Sequence, residues 1–439
     1  MKVKLISRNG EYVAVNLENL NIFRVDETEA NILSLHEKGL EIPEIATKLD
    51  IQKEKCEQTI KIFDSLPKGA RIVPQDVGKL NELLLMIALD CNMRCGYCYG
   101  DGGSYKRERT LMSTETAFKA VDCALSLGDI KVITFFGGEP LLNFNLIKEV
   151  VQRVEPDITC GIITNGTIMN EEIAEFIKEH ALPLTISIDG PEKVHNAGRC
   201  YPDGSGTHKK VVETMEMLKS VGIPFAIEAT YTKKALNLGY SAKDVLEYLY
   251  QFTPTINFAS VGVVDDPEYR LSPQELRDFR IQCIDFAFDK IQKGEPINVF
   301  DITALVSNIA SPERVISKVF CPYHVRRFAV FPNGDAYPCY LLMDEKYKYG
   351  NVFDPGFVET FPEKSQKILP KLCRDRLTVS PWFTPLLTHI CVSTLIPEGD
   401  YFSLIDDVLV AGPEVVEHLL YRMSQIRTWD RFFETLQNP

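Results

Sequence analysis

Three closely spaced cysteines constrain this chain more than any other feature of its sequence. Cys91, Cys95 and Cys98 stand at CxxxCxxC spacing, directly after the apolar run 83–89, which predicts a buried strand. Cysteine thiolates are the ligands that iron–sulfur clusters take, so one short loop can hold three corners of a 4Fe–4S cube. Because three thiolates serve four irons, one iron stays open to a substrate or cofactor. The spacing therefore predicts a reactive cluster.

Two other interpretations of these cysteines stay open at this point. The three residues can be core thiols, or they can belong to a zinc loop. Zinc sites usually combine paired CxxC segments with a fourth protein ligand, and the sequence offers no fourth ligand nearby. The iron–sulfur interpretation is therefore favoured.

Length and composition set further bounds. The 439 residues predict two or three domains, and the 45% hydrophobic and 25% charged residues are typical of a globular protein. The net charge of −13 argues against a nucleic-acid partner, and no run of 18 apolar residues predicts a membrane span. Twelve cysteines without a secretory signal predict a reducing compartment, so we expect a cytoplasmic protein.

A β–α rhythm begins with the apolar run and continues to about residue 263. It predicts an α/β fold in which a parallel, partial (β/α)6 barrel occupies residues 83–295, with the functional site at the C-terminal ends of the strands. The predicted strands are 83–89, 131–136, 160–164, 184–188, 225–231 and 256–263. The predicted helices between and after them are 114–127, 146–154, 171–179, 209–219 and 243–250, followed by a long helix at 273–293.

The segment CNMRCGYC, with Tyr97 just before its third cysteine, resembles the signature of the radical SAM superfamily. The resemblance implies that S-adenosylmethionine (SAM) chelates the open iron and that an external donor supplies an electron. Cleavage of SAM then yields a 5′-deoxyadenosyl radical, which abstracts hydrogen from an unactivated C–H bond. The resemblance covers residues 83–263 and extends more weakly to residue 400.

Other segments at the predicted strand ends resemble the SAM-binding motifs of the same superfamily. Gly137-Gly138-Glu139-Pro140 resembles the GGEP motif, which binds the SAM amino group. Asn165 and Ser187 match polar positions that contact the ribose, and Arg199 resembles the arginine that pairs with the SAM carboxylate. Each of these can instead be a turn, capping or surface residue. His195 is predicted to be a turn residue.

Residues 1–66 resemble a winged-helix peptide-binding module, the RiPP recognition element, and 67–82 form a predicted linker. Two strands and three helices are predicted, the first helix capped by Asp26 and Glu29. The resemblance implies that the leader of a precursor peptide binds as an added strand. A DNA-binding winged helix has similar geometry, but the predicted recognition segment 52–58 has balanced charge and no arginine.

Cysteines after residue 296 predict a second iron–sulfur site. Cys321 and Cys339 flank a predicted hairpin and Cys391 follows, a pattern that resembles the SPASM or twitch domain of peptide-modifying radical SAM enzymes, here over residues 296–400. One auxiliary 4Fe–4S cluster is therefore expected. Cys373 is either its fourth ligand or leaves an iron open to a substrate thiolate.

The resemblance to the SPASM domain is incomplete. Thr378, Pro381 and Leu387 stand where the full pattern has further cysteines, so no second auxiliary cluster is expected. Residues 401–439 are predicted to be a helical tail, with an amphipathic helix over 413–436. The remaining cysteines are predicted to be core thiols: Cys56, Cys123, Cys160, Cys200 and Cys283.

These three parts occur together in enzymes that mature ribosomally made peptides. We therefore expect a radical SAM peptide maturase that forms a crosslink, with a thioether favoured. One alternative is an enzyme resembling sulfatase maturases, which oxidises Cys or Ser to formylglycine. Another is an iron–sulfur DNA-binding regulator that uses residues 1–66 as a winged helix.

Overall fold

The structure of this chain, a computed structural model, describes residues 3–17, 21–64, 70–71, 80–262, 266–310, 314–315, 319–321, 326–373, 376–377, 391, 395–398, 401–404 and 406–426. Within these residues, no helix is both long enough and apolar enough to cross a membrane.

The N-terminal part is a three-stranded antiparallel sheet with three helices. The elements are β1 (Val3–Arg8), β2 (Glu11–Asn16), β3 (Ile22–Val25), α1 (Glu27–Glu37), α2 (Ile42–Leu49) and α3 (Lys53–Asp64). The predicted capping box is present, because Asp26 accepts from the Glu29 backbone N–H and Glu29 accepts from that of Asp26. The third strand was not expected from the sequence. Its four residues are too few to show a clear alternation.

The remaining strands are β4 (Ala70–Arg71), β5 (Glu82–Ala88), β6 (Val132–Gly137), β7 (Thr159–Thr164), β8 (Leu184–Ser187), β9 (Ala226–Tyr231), β10 (Thr255–Ser260), β11 (Asn298–Val299), β12 (Arg314–Val315), β13 (Arg327–Val330), β14 (Asp335–Tyr337), β15 (Gly350–Asn351), β16 (Leu395–Glu398) and β17 (Tyr401–Leu404). Ten of them form one sheet in the order β11-β10-β9-β8-β7-β6-β5-β13-β14-β15. In this order the first eight strands, which begin with β11 and end with β13, are parallel to one another. The last two pairings, of β13 with β14 and of β14 with β15, are antiparallel. The predicted mixed α/β fold with a parallel sheet is confirmed.

The remaining helices are α4 (Thr114–Leu127), α5 (Phe144–Val154), α6 (Glu171–Glu179), α7 (Glu192–Gly198), α8 (His208–Ser220), α9 (Lys233–Asn237), α10 (Ala242–Tyr250), α11 (Pro273–Lys293), α12 (Phe300–Ala310), α13 (Phe357–Ile368) and α14 (Asp406–Ser424). Side chains fix several boundaries: Ser113 caps α4, and Ser272 with Glu275 forms a capping box at α11. The tail helix begins at Asp406, seven residues before the predicted start, and the predicted part after residue 426 lies outside the described residues.

The two faces of the central sheet differ in burial. Along β6 to β10, fully buried residues alternate with partly accessible ones. The buried residues, such as Phe135 and Ile227, belong to the core shared with the surrounding helices. The alternate residues, such as Phe136, Ser187 and Glu228, lie on the opposite face of the sheet and are partly accessible.

The C-terminal helix α14 joins the N-terminal sheet to the barrel. His418 contacts the Arg8 guanidinium (Nδ1–Nη1, 2.6 Å) on one side and the Asp285 carboxylate of α11 (Nε2–Oδ1, 2.8 Å) on the other. Arg422 also pairs with Asp285. One continuous apolar core includes Ile6, Val13, Val15, Leu419, Leu420 and Met423. Residues 3–64 therefore share part of their apolar core with α14.

Two other features of the chain outside the barrel were not expected from the sequence. The predicted linker includes β4, which pairs in parallel with β12. The predicted hairpin around Gly334 is present, and its first strand, β13, extends the barrel sheet beside β5. Burial of its apolar residues, such as Phe328 and Val330, explains this placement.

Candidate active site

The three signature cysteines lie on the loop that follows β5, at the C-terminal edge of the parallel strands. The loop is tied to the segment after α7, because the Arg94 N–H donates to the Cys200 carbonyl (2.8 Å) and the Gly96 N–H to the Gly198 carbonyl (2.9 Å). Tyr269 covers it from outside and leaves no room for a side chain at Gly96. The loop is thus held from several sides.

The donor set of this loop fits a cluster better than a single ion. Burial raises the pKa of the Cys91 thiol to about 11 and that of Cys95 to about 12, and Cys98 raises both further, so the three thiols are electrostatic neighbours. Within the described residues, no three His, Cys, Asp or Glu side chains converge as ligands of one metal ion. A 4Fe–4S cube offers a separate iron to each thiolate, and the three cysteines would hold it.

The turn Gly137-Gly138 packs against the backbone of the cysteine loop. The Gly138 N–H donates to the Ala88 carbonyl (2.8 Å), and the Glu139 N–H donates to the Asp90 carbonyl (2.9 Å). A Cβ at Gly138 would lie 2.2 Å from the Asp90 carbonyl oxygen, and one at Gly137 would lie 2.3 Å from that of Ala88. Both glycines are therefore required by close backbone approach.

Replacing Gly138 by Ala should displace the cysteine loop. We expect the free energy of unfolding to fall by about 1–3 kcal/mol, as in other overpacked sites, and the iron content after reconstitution to fall. Chemical denaturation and iron analysis measure both effects. Gly161→Ala is the matched control, since its Cβ would meet nothing closer than 3.6 Å. Normal iron content in Gly138→Ala would contradict the assigned contact.

Glu139 has its carboxylate fully occupied by protein donors. It accepts from the Leu141 N–H (3.0 Å), the Thr164 hydroxyl (2.7 Å) and the Asn165 N–H (2.8 Å), and its exposed fraction is zero. Burial raises its pKa to about 7 despite these donors. The side chain therefore connects the ends of β6 and β7, while Pro140 begins a short 3-10 turn. Contact of its carboxylate with SAM remains a prediction.

Asn165 lies directly beside the cysteine loop. Its side-chain N–H donates to the side-chain oxygen of Asn92 (Nδ2–Oδ1, 2.9 Å), and its Nδ2 lies 3.8 Å from the Cys91 sulfur. Its own Oδ1 accepts from the Thr167 N–H (2.9 Å). The residue therefore supports the loop in this structure, and its predicted ribose contact stays a prediction.

Arg199 and Tyr97 meet at a residue that the sequence did not single out, Asp189. The Arg199 Nε lies 3.0 Å from Asp189 Oδ2, the Tyr97 hydroxyl donates to the same oxygen, and the Thr230 N–H donates to Oδ1 (2.9 Å). The side-chain Nε–H of Arg199 has no hydrogen-bond partner among the described residues, so its contact with the Asp189 carboxylate is an ion pair without a good hydrogen bond. Asp189 thus orients Arg199 near Cys95, where the guanidinium partly offsets the rise that burial causes in the pKa of the thiol.

The signal for Asp189 was its place after β8, two residues beyond Ser187. Ser187 itself lies on the partly accessible face of the sheet, at the end of β8.

His195 was predicted to be a turn residue, which is wrong: it lies in α7 and is fully buried. Its Nδ1 accepts from the Asp189 N–H (3.3 Å), so Nε2 carries the proton and donates to Thr207 (2.8 Å).

The C-terminal cysteines are partly brought together. The pKa of the Cys339 thiol, at the end of the hairpin, is raised mainly by burial. Cys391 lies close enough to raise this pKa as well. Cys321 lies two residues after Val319, which forms an isolated β-bridge with Cys373. The Cys373 thiol donates to the Leu369 carbonyl (3.5 Å) and packs against the main core. The positions Thr378, Pro381 and Leu387 lie outside the described residues.

Comparisons with known proteins agree with this geometry. Residues 86–233 match the Radical SAM superfamily. Over 181 residues the chain is 38% identical to the uncharacterized protein MJ0907 of Methanocaldococcus jannaschii, covering 40% of this chain and 60% of that protein. It is 25% identical over 224 residues to the radical SAM cyclopropyl synthase TigE of Paramaledivibacter caminithermalis, covering 47% and 45%. The chain therefore spans less than two thirds of these two relatives.

A third relative is covered more fully. The cysteine-type anaerobic sulfatase-maturating enzyme of Clostridium novyi is 24% identical over 306 residues, which are 64% of this chain and 79% of that enzyme.

Solved structures of two proteins share the fold. The structure of anSMEcpe with bound AdoMet has a TM-score of 0.67 at 21% identity, covering 79% of this chain and 100% of that one. Streptococcus suis SuiB bound to S-adenosylmethionine has a TM-score of 0.57 at 18% identity, covering 92% and 99%. SuiB bound to its precursor peptide SuiA gives 0.55 at 16% identity, covering 91% and 97%. Residues 86–233 of this chain are a radical SAM domain.

Proposed function

We propose that this protein is a radical SAM enzyme that modifies a ribosomally made precursor peptide. Bound SAM supplies a 5′-deoxyadenosyl radical for hydrogen abstraction. Cys91, Cys95 and Cys98 hold the cluster, the backbone of Gly137-Gly138 and the Arg199–Asp189 pair bind and orient SAM, and an external donor supplies the electron. Formation of a crosslink, with a thioether favoured, is the proposed outcome.

The observation that carries this proposal is the stacking of two rings that adjoin the two cysteine sets. Tyr99 follows Cys98 directly, Tyr340 follows Cys339 directly, and the two rings stack with centroids 5.7 Å apart. The loop of the signature cysteines and the hairpin that ends at Cys339 therefore lie beside each other. Cys321, Cys339 and Cys391 would hold a second cluster in this region. That cluster would supply an open iron able to bind, deprotonate and orient a substrate thiol, which is the chemistry that thioether formation needs.

The N-terminal sheet offers an edge for the leader peptide. One face of the sheet packs on α14 through Val13 and Val15, and the other packs on α1 and α3 through Ala14 and Phe23. Both faces are therefore covered, which leaves strand addition at an edge as the available binding mode. Among the described strands, β3 pairs with β2 alone.

The pairing register shows which groups of β3 point outward. The Asn16 N–H donates to the Asn21 carbonyl, and the following pairs are Val15–Ile22, Ala14–Phe23 and Val13–Arg24. Hydrogen-bonded and non-hydrogen-bonded pairs alternate in an antiparallel ladder. The backbone N–H and C=O of Ile22 and Arg24 therefore face away from β2, toward an added strand.

Replacing Arg24 by Pro should abolish leader binding. Proline removes an outward N–H and places its ring at the edge, while the hydrogen bonds to β2 are kept. We expect at least about tenfold weaker binding of a fluorescent leader peptide, taken from a short reading frame beside the gene, by anisotropy. Arg24→Ala removes the side chain, including its ion pair with Glu11, and serves as the control. Equal binding by both variants would remove the edge from the proposal.

A sulfatase-maturase activity is the second candidate, and the likeness to the Clostridium novyi enzyme favours it. The match to the anSMEcpe structure covers all of that structure but leaves about a fifth of this chain unmatched. The match to SuiB covers 92% of this chain. The larger share of the chain that SuiB matches supports the precursor-peptide proposal. If the enzyme converts a Cys or Ser of a sulfatase-derived peptide to formylglycine, the alternative function is the correct one.

A DNA-binding role for residues 3–64 finds little support in the charges of α3. Lys53 pairs with Glu57 (3.3 Å), and Lys55 pairs with Glu29 (3.1 Å). A helix that reads DNA presents uncompensated basic side chains. These ion pairs support a peptide partner over nucleic acid.

A further inference from the structure

Tyr269 is a buried aromatic residue that packs against the loop of the signature cysteines. Its exposed fraction is 6%. A Cβ at Gly96 would overlap the Tyr269 hydroxyl and would lie 2.6 Å from Cζ of the ring. The ring also meets that of Tyr97 edge to face, with centroids 5.8 Å apart. Tyr269 therefore contacts both residues that separate Cys95 from Cys98.

Two residues of α9 hold Tyr269 at both of its ends. The backbone N–H of Lys233 donates to the Tyr269 carbonyl (2.9 Å). The Lys234 ammonium donates to the Tyr269 hydroxyl (3.0 Å) and lies 4.2 Å from the centroid of the ring. Because a cation is attracted to an aromatic ring, the ammonium stabilises both the ring and its hydroxyl. The orientation of Tyr269 is therefore fixed by contacts outside the cysteine loop.

Tyr97 connects Tyr269 to the groups that are proposed to orient SAM. The Tyr97 hydroxyl donates to Asp189, which pairs with Arg199 (3.0 Å). The Arg199 guanidinium lies 5.6 Å from the centroid of the Tyr97 ring. A Cβ at Gly198 would lie 2.7 Å from Tyr97 Cε1, so the ring also packs on the backbone next to Arg199. A shift of the Tyr97 ring would therefore disturb both Asp189 and Arg199.

We propose that Tyr269, held by Lys234, is a positioning residue for SAM: it fixes the Tyr97 ring and, through that ring, the Arg199–Asp189 pair. The inference rests on the proposed function, since it assumes that SAM binds beside this pair. Edge-to-face contact holds two rings in a preferred geometry. A site whose groups are already in place binds its ligand more tightly, so loss of this contact should weaken SAM binding.

The first test measures binding of radiolabelled SAM to the reconstituted full-length protein by equilibrium dialysis, with iron analysis of the same samples. Tyr269→Ala should bind SAM about tenfold more weakly at unchanged iron content. Tyr269→Phe keeps the ring contact with Tyr97 and should bind SAM within about threefold of wild type. Phe176→Ala is the matched control, because Phe176 of α6 meets Phe144 in the same edge-to-face geometry (5.6 Å). It should lower stability and keep wild-type SAM affinity.

The second test places a methyl group at Gly96. The backbone of Gly96 is not left-handed, and the three atoms nearest to an added Cβ all belong to Tyr269. Gly96→Ala should therefore weaken SAM binding while Tyr269 is present. In combination with Tyr269→Ala it should cause no further loss, because the overlap is then removed. Such non-additivity is expected of two residues in direct contact.

The third test leaves the core unchanged and decides the case if Tyr269→Ala does not assemble its cluster. Lys234 is partly exposed, so Lys234→Met should fold normally. It should bind SAM about threefold more weakly, because the Tyr269 hydroxyl loses its donor. Glu268→Gln is the control, since the Glu268 carboxylate pairs with Lys234 (3.2 Å) at the surface, and it should keep wild-type affinity.

Four outcomes would overturn the inference. They are wild-type SAM affinity in Tyr269→Ala, an equal loss in Phe176→Ala, additive losses in the Gly96→Ala double variant, and wild-type affinity in Lys234→Met. Release of 5′-deoxyadenosine by the wild-type sample separates the two proposals. If wild type neither binds nor cleaves SAM, the proposed function fails. If wild type cleaves SAM and the variants bind it equally well, only the role of Tyr269 fails.

Discussion

Replacing Cys91, Cys95 and Cys98 together by alanine should reduce 5′-deoxyadenosine formation to background. All three thiols lie on the loop after β5, and burial raises the pKa of Cys91 and Cys95, so an incoming cation is needed to hold them as thiolates. Without thiolates the open iron that binds SAM is absent. Anaerobic reconstitution with iron, sulfide, dithionite and SAM, followed by chromatography of the nucleoside, measures the product.

Cys160→Ala is the matched control for this triple variant. Cys160 is buried on β7, where it belongs to the core on the side of the helices. Its replacement should lower stability by about 1 kcal/mol or more, through a small cavity, and leave SAM cleavage in place. Product formation by the triple variant would show that the site is misassigned.

The sequence predicted the barrel strands well because their signals are local. All six predicted strands are present, and most of their ends lie within one or two residues of the predicted ends. The predicted helices alternate with them. The apolar run that becomes β5 is buried almost completely. Since parallel strands bring their C-terminal ends to one edge, the positions of Gly138 and Asn165 beside the cysteine loop follow from the alternation itself.

Contacts between distant segments could not be predicted in this way. Asp189 looked like part of a turn, and only the fold shows that Tyr97, Arg199 and Thr230 converge on it. The pairing of β13 with β5 joins residues more than 240 positions apart, for which periodicity carries no signal.

The shared core around α14 changes how the N-terminal part should be tested. Deleting residues 1–66 would expose Leu419, Leu420 and Met423, which share a core with Ile6, Val13 and Val15. A truncated chain would thus lose stability along with any leader-binding function. Arg24→Pro acts on the outward edge alone and keeps this core, so it separates recognition from folding.

The auxiliary cluster gives the last expected result, an iron content of about eight per chain, four for each of two cubes. Cys339 and Cys391 lie in one electrostatic neighbourhood next to Tyr340. Replacing both by alanine should remove about four irons and leave SAM cleavage by the first cluster. Iron analysis with Mössbauer spectroscopy measures the number and type of clusters.

Cys373 decides whether the second cluster is closed or open. Its thiol donates to the Leu369 carbonyl and packs against the main core, as a structural cysteine does, although ligation by Cys373 was the slightly favoured prediction from the sequence. If Cys373 is a ligand, Cys373→Ala should change the spectrum of the second cluster and open one iron to added thiols. If it is structural, the variant should keep both the iron content of about eight and the wild-type spectrum, so that one iron is already open to a substrate thiolate. About twelve irons in wild type would show that other ligands complete a third cluster, and about four would make the C-terminal cysteines structural.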